Sequence, residues 1–297
     1  MRTLLVSLTS YEPASPPRAI VVILHGMMEH NQPYRSFASF LKSQGLLVLT
    51  YDQLGHGKRP DTIQDLGKVP PDSWSKFVSE ACTIVKSVHD THPNIPIFLI
   101  GHSFGSFVAQ AAAAQLGDIV SGLILLGSAY QPRILSQIGL QLSQIMGWNW
   151  GWKSPADLIH FCTFAPFRWQ VNGPSEFSWL SRNAEFVTHY EEGPLFGFTP
   201  SFGFYSTLFT GLLDITRTGF FKTFPKHLRI LILSGTNDPL SKGGKTVQTL
   251  ANKYRSAGAT STSVKLYPDA RHVLLHELNK DEVMNDILGF INKESNS

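Results

Sequence analysis

The chain has 297 residues, 42% of them hydrophobic and 16% charged, and a formal net charge of +3. That apolar content supports a large core and excludes a disordered chain, while the small charge, with no Lys/Arg cluster interleaved with aromatics, excludes a nucleic-acid binder. Two cysteines, Cys82 and Cys162, are too few for a disulfide framework and point to a reduced, cytoplasmic setting.

In chain order, Met1 to Leu8 comes first. Its apolar core is broken at Ser7, Thr9 and Ser10 and lacks a convincing cleavage site, so it reads as a strand rather than a signal peptide. No later apolar run reaches the ~18 residues of a membrane span. Ala19–Leu24, Leu46–Tyr51, Ile95–Ile100, Val120–Leu126 and Leu228–Leu233 are continuous apolar runs. Continuous hydrophobicity predicts strands buried on both faces, as in a parallel sheet covered by helices. Between them, Trp74, Phe77, Val78, Ala81, Ile84, Val85 and Val88 follow helical spacing after an N-cap at Asp72, and Pro93 ends the run. Phe104 to Leu116 is alanine-rich and closes at Gly117. Strand, crossover helix and strand in succession predict an α/β fold with an open, doubly wound, mostly parallel sheet.

The rhythm breaks after Ala129. Residues Tyr130 to Phe209 carry 18 of the chain's 34 aromatics and five of its six tryptophans. The expected organisation is a core of residues 1–129 and 226–297 with an inserted lid over 130–225. Ligand sites in such folds open at the strand C-termini, so an insertion there covers a site. An apolar lid also allows transient contact with a membrane surface.

Gly101-His102-Ser103-Phe104-Gly105 sits where a buried strand turns into a helix, the context a nucleophile elbow requires. A serine hydroxyl needs a base, and the base an orienting acid, in the chain order Ser, Asp or Glu, His. Asp238 follows the Leu228–Leu233 strand in Ser234-Gly235-Thr236-Asn237-Asp238-Pro239, and His272 follows Val264–Tyr267 in Pro268-Asp269-Ala270-Arg271-His272. Asp214 is the alternative acid, though no strand precedes it; His276, one turn beyond His272, reads as a surface residue. An oxyanion needs two N–H donors. Phe104 supplies one and Met27, in His25-Gly26-Met27-Met28, the other, with Gly26 permitting close backbone approach.

Together, His25-Gly26-Met27-Met28-Glu29-His30, Asp52-Gln53-Leu54-Gly55-His56-Gly57, the Ser103 elbow and Asn237-Asp238-Pro239 resemble the α/β-hydrolase superfamily. The nearest branch is that of monoacylglycerol lipases and bacterial lysophospholipases, often called serine-aminopeptidase-like. Trp179-Leu180-Ser181-Arg182 and Gly193-Pro194-Leu195 resemble its lid. The resemblance implies Ser103, Asp238 and His272 as a triad, Met27 and Phe104 as oxyanion donors, and hydrolysis of small-molecule esters bearing an acyl chain, without cofactor or metal. Leu54 and Arg59 depart from a "D–RGHG–S" form, and Gly193 stands where that lid often has aspartate. Rival readings are a peptidase or amidase of the same fold, and a binding protein that has lost catalysis.

Overall fold

The computed structural model describes residues 8–293. The strand expected from Met1 therefore lies outside the described residues except for Leu8, which opens β1 (Leu8–Tyr11). The other strands are β2 (Ala19–Leu24), β3 (Leu46–Tyr51), β4 (Ile97–His102), β5 (Gly122–Leu126), β6 (Arg229–Gly235) and β7 (Thr262–Tyr267). They form one sheet in the order β1-β3-β2-β4-β5-β6-β7, and all neighbours run parallel except β1, which is antiparallel to β3.

The helices are α1 (Arg35–Ser43), α2 (Trp74–Thr91), α3 (Phe104–Leu116), α4 (Arg133–Trp150), α5 (Asp157–Gln170), α6 (Ala184–Glu192), α7 (Phe202–Ile215), α8 (Lys245–Ser256) and α9 (Lys280–Asn292). The period of two along β2 divides the core. Val21 and Ile23 face α1 and α9, packing with Phe37, Leu41, Val283 and Ile287. Ile20, Val22 and Leu24 face the other way, toward Phe77 of α2, Val108 of α3 and Leu250 of α8. Every residue of β2 through β5 is buried, which is why these strands read as unbroken apolar runs.

The expected edges shift in places. β4 starts at Ile97 rather than Ile95 and continues through Gly101 and His102, which pair with Leu125 and Leu126 of β5. α2 starts one residue later than the Asp72 cap implied: Ser73 occupies the N-cap without a side-chain cap bond, its N–H held by Thr207 Oγ1 at 3.3 Å.

Between β5 and β6 the strand succession is interrupted by α4 to α7. They are not equivalent. α7 sinks Phe204, Tyr205 and Leu208 into the main core beside α2 and α3. Trp179, Leu180, Phe186, Tyr190 and Phe196 form a small separate cluster with Val273. The tryptophans divide as well. Trp179 is buried, whereas Trp148, Trp150 and Trp169 are 82%, 63% and 72% exposed, so an aromatic-rich segment need not hide most of its indoles.

Candidate active site

β4 delivers Ser103 at the sheet's C-terminal edge with φ 50° and ψ −119°, a left-handed conformation that L residues rarely adopt. Its N–H is tied to the Leu126 carbonyl at 2.9 Å, and its own carbonyl accepts from Ser106 N–H at 2.9 Å. The two glycines of the elbow are both required by contact. A Cβ on Gly101 would strike the Gly105 backbone, and one on Gly105 would overlap the carbonyls of Leu24 and His25. α3 can thus lie against β2 and β4, with its N-terminus, where amides lack intrahelical acceptors, directly behind the serine. Phe104 puts its ring into the core, edge-on to Phe77 at 5.1 Å.

His272 and Asp238 come together as the sequence order implied. His272 Nδ1 lies 3.0 Å from Asp238 Oδ2, and both residues are buried. Asp238 is fixed in turn, accepting Leu240 N–H at 2.9 Å through Oδ1. Gly127, at φ 55° just beyond β5, leaves the space in which the His272 ring sits. Asp214 is elsewhere, binding Trp74 Nε1 and Arg217 Nε, each at 3.0 Å. His276 is not a simple surface residue: it stacks on Phe186 at 4.2 Å.

Ser103, His272 and Met27 line one small cavity of about 30 Å³ with Met28, Glu29, His102, Phe164, Trp179, Leu180, Tyr190 and Val273. A second cavity of about 90 Å³ shares Met28, Phe164 and Trp179 and extends outward along α5 past Phe161, Ala165 and Trp169. The walls are largely apolar, and among the described residues no group of His, Cys, Asp or Glu has the arrangement of a metal site.

Behind the cavity lies a polar layer that motif reading did not resolve. Glu29 Oε1 takes the Gly26 N–H, the Tyr34 hydroxyl at 2.7 Å and His102 Nδ1 at 2.8 Å, joining the turn that carries Met27 to the residue before Ser103. Gln53 N–H donates to His25 Nε2 at 2.9 Å, which leaves His25 Nδ1 protonated to donate to the Gly26 carbonyl at 2.7 Å. Met28 has φ 59°, and its carbonyl is held by the Tyr190 hydroxyl at 3.0 Å and Gly197 N–H at 3.2 Å. Asp52 accepts Asn31 N–H and Lys58 N–H at 2.9 and 3.0 Å, so the Asp52–Gly57 motif braces the loops and does not enter the cavity. Glu29 stood inside a quoted motif; Tyr190 and Gly197 carried no local signal, because they act across the fold.

Burial alone would push the Glu29 carboxyl up, but the His102 and His25 rings and the hydrogen bonds from His102 and Tyr34 outweigh it and hold it at about 2. Burial, with the His25 ring beside it, pushes His56 down to about 3, and burial pushes His276 down to about 4.

Residues 15–279 match the family model described as serine aminopeptidase, S33, and the chain belongs to this family of α/β hydrolases. The human monoglyceride lipase is 27% identical over 294 residues, covering 95% of this chain and 84% of that protein. The monoglyceride lipase homolog of Monkeypox virus is 27% identical over 282 residues, covering 94% and 89%. A solved lipase in its open form superposes with a TM-score of 0.86 at 25% identity, covering 98% of this chain and 95% of that one. Family and relatives together place the chain among the carboxylic ester hydrolases.

The three shifted groups give acid lability a defined sign. Unfolding would return Glu29 to near 4.5 and the two histidines to near 6.5, so below about pH 6.5 the unfolded chain binds more protons than the folded one. Stability should therefore decline as pH falls, first through the histidines, then through Glu29. Urea unfolding from about pH 7.5 down to about pH 4 should show a steadily falling midpoint. A midpoint constant across that range would contradict the account.

Proposed function

We propose that this protein is a serine hydrolase that cleaves esters bearing an acyl chain, of the monoacylglycerol or lysophospholipid type, through an acyl-enzyme on Ser103. The observation that carries the reading is the strained Ser103 elbow opening into the same cavity as His272, whose ring is paired with the buried Asp238. In this reading His272 Nε2 takes the Ser103 proton as Oγ attacks the ester carbonyl, while Asp238 fixes the ring's tautomer and stabilises the imidazolium. The tetrahedral oxyanion accepts from the Met27 and Phe104 N–H groups. Each such donor is worth about 3 kcal/mol in the transition state. Collapse expels the alcohol, which leaves with the proton from His272. Water then attacks the acyl-serine as it gives a proton to His272, and the imidazolium returns that proton to Ser103 Oγ as the acid leaves.

An inner cavity of about 30 Å³ has room for about two waters and none for an acyl chain. Residues 130–225 therefore act as a cap, with Phe164 and Trp179 parting to join the inner and outer cavities into an acyl channel. α4 exposes Ile134, Leu135, Ile138, Leu142, Ile145 and Trp148, with no charged residue between Arg133 and Lys153. That stripe supports transient contact of the cap with a lipid surface holding the substrate. Among the described residues no helix is long and apolar enough to cross a membrane. The peptidase reading is weaker, because Glu29, the carboxylate among the residues lining the inner cavity, already takes three donors on Oε1 from the Gly26 turn, Tyr34 and His102 and serves to join them.

Ser103→Ala should abolish ester turnover and fluorophosphonate labelling without loss of the folded state. Asp238→Asn should cost a factor of about 10⁴ in kcat, as orienting acids do in other triads, and Asp214→Asn should cost little. Labelling that survived Ser103→Ala, or a large loss from Asp214→Asn with none from Asp238→Asn, would overturn the assignment.

Chain-length dependence tests the acyl channel. Each CH₂ buried in the transition state contributes up to ~0.8 kcal/mol, roughly fourfold in kcat/KM. Across p-nitrophenyl esters, kcat/KM should rise from acetyl to medium chains and then level off, and Phe164→Ala should flatten the rise. A flat profile in the unaltered protein would tell against the channel.

A further inference from the structure

Five residues beyond His272, the chain buries a carboxylate that takes no part in the mechanism above. Glu277 is 1% exposed and accepts four N–H groups. Oε1 takes Arg271 N–H at 2.8 Å and Arg182 N–H at 3.0 Å; Oε2 takes Arg182 Nε–H at 2.8 Å and Leu278 N–H at 3.0 Å. Four donors saturate a carboxylate, and the charge is paired with Arg182, so its burial is compensated.

What these bonds enclose is the backbone of the candidate base. Arg271, His272 and Val273 lie outside any helix or strand, and their three successive amides each have a distinct acceptor. Glu277 Oε1 takes the first, the Trp179 carbonyl takes His272 N–H at 3.4 Å, and the Leu180 carbonyl takes Val273 N–H at 2.7 Å. The two carbonyls belong to the Trp179–Arg182 segment, which Glu277 grips through both the N–H and the Nε of Arg182. The Ser181 hydroxyl closes the arrangement on the His276 carbonyl at 2.9 Å. One carboxylate thus ties the histidine loop into a ring and fastens the strip of insertion that supplies its other two acceptors.

The geometry points to Glu277 as a positioning residue for His272, setting the backbone from which the imidazole reaches Ser103. The inference rests on the reading of His272 as the base. A catalytic group displaced by about 1 Å loses on the order of 10²-fold in rate. Glutamine in this place keeps the volume but turns an NH₂ group toward N–H donors, so one side of the clasp must open.

The test measures Glu277→Gln beside Ser103→Ala and His272→Ala in the full chain, using a medium-chain p-nitrophenyl ester and fluorophosphonate labelling. The expected result is a kcat reduced about 10- to 100-fold with KM within about threefold, slower labelling, and loss or broadening of the low-field NMR resonance of the His272 Nδ1 proton in a cooperatively folding variant. A merely structural role would lower the thermal midpoint but leave kcat per folded molecule and that resonance unchanged, and this outcome would overturn the proposal. If Glu277→Gln does not fold, Arg182→Gln decides on the same readouts: a fall in kcat with a broadened resonance supports the clasp, and unchanged values refute it. Turnover surviving His272→Ala would instead refute the base assignment, and the clasp's role with it. Inactive His272→Ala with fully active Glu277→Gln would refute only the clasp.

Discussion

The approach of α3 to β2 and β4 is the constraint on which the site depends. It is closer than any side chain would permit, and Gly101 and Gly105 are the positions where the backbones meet. With that contact made, the turn between β4 and α3 has no room for a relaxed path, and Ser103 takes its left-handed conformation as a consequence. Strain of this kind costs on the order of 1–3 kcal/mol and persists only where surrounding structure enforces it. Here the enforcement comes from the sheet, since the Ser103 amide is bonded to the end of the neighbouring strand. The strands around it, β2 through β5, are buried along their whole length.

Three separate polar layers then hold the groups proposed to react. Glu29 joins the Met27 turn to His102, Asp238 orients His272, and Glu277 closes the loop from which His272 projects. All three are buried carboxylates that accept from N–H or O–H donors, as buried charge requires. The insertion is part of this scaffold. Tyr190 and Gly197 steady Met28, and Trp179 and Leu180 supply acceptors beside His272. The exposed apolar surface of the insertion lies elsewhere, on α4 and α5.

Much of this was legible in the sequence where a local pattern expressed a local constraint. β2 and β3 match the expected Ala19–Leu24 and Leu46–Tyr51, because strands buried on both faces carry few polar residues. β4 shifted because Gly101, read as the turn, still pairs with β5. Ser103, Asp238 and His272 could be picked out as candidates because each follows the C-terminal end of its own strand. The clasp was not, since Arg182 and Glu277 are 95 positions apart, and the lid-like Trp179–Arg182 stretch carries no sign of its buried partner. Nor did aromatic content distinguish buried Trp179 from exposed Trp148, as composition carries no direction.

The central claim, that Ser103 attacks the ester and carries the acyl group, is tested most directly by trapping the intermediate. A medium-chain p-nitrophenyl ester would be mixed with the protein, quenched in acid during the burst, and the digest examined by mass spectrometry. The account predicts one acyl group per chain, located on the peptide bearing Ser103 and at that residue. An acyl group on another side chain, or steady turnover with no covalent adduct at any quench time, would contradict it.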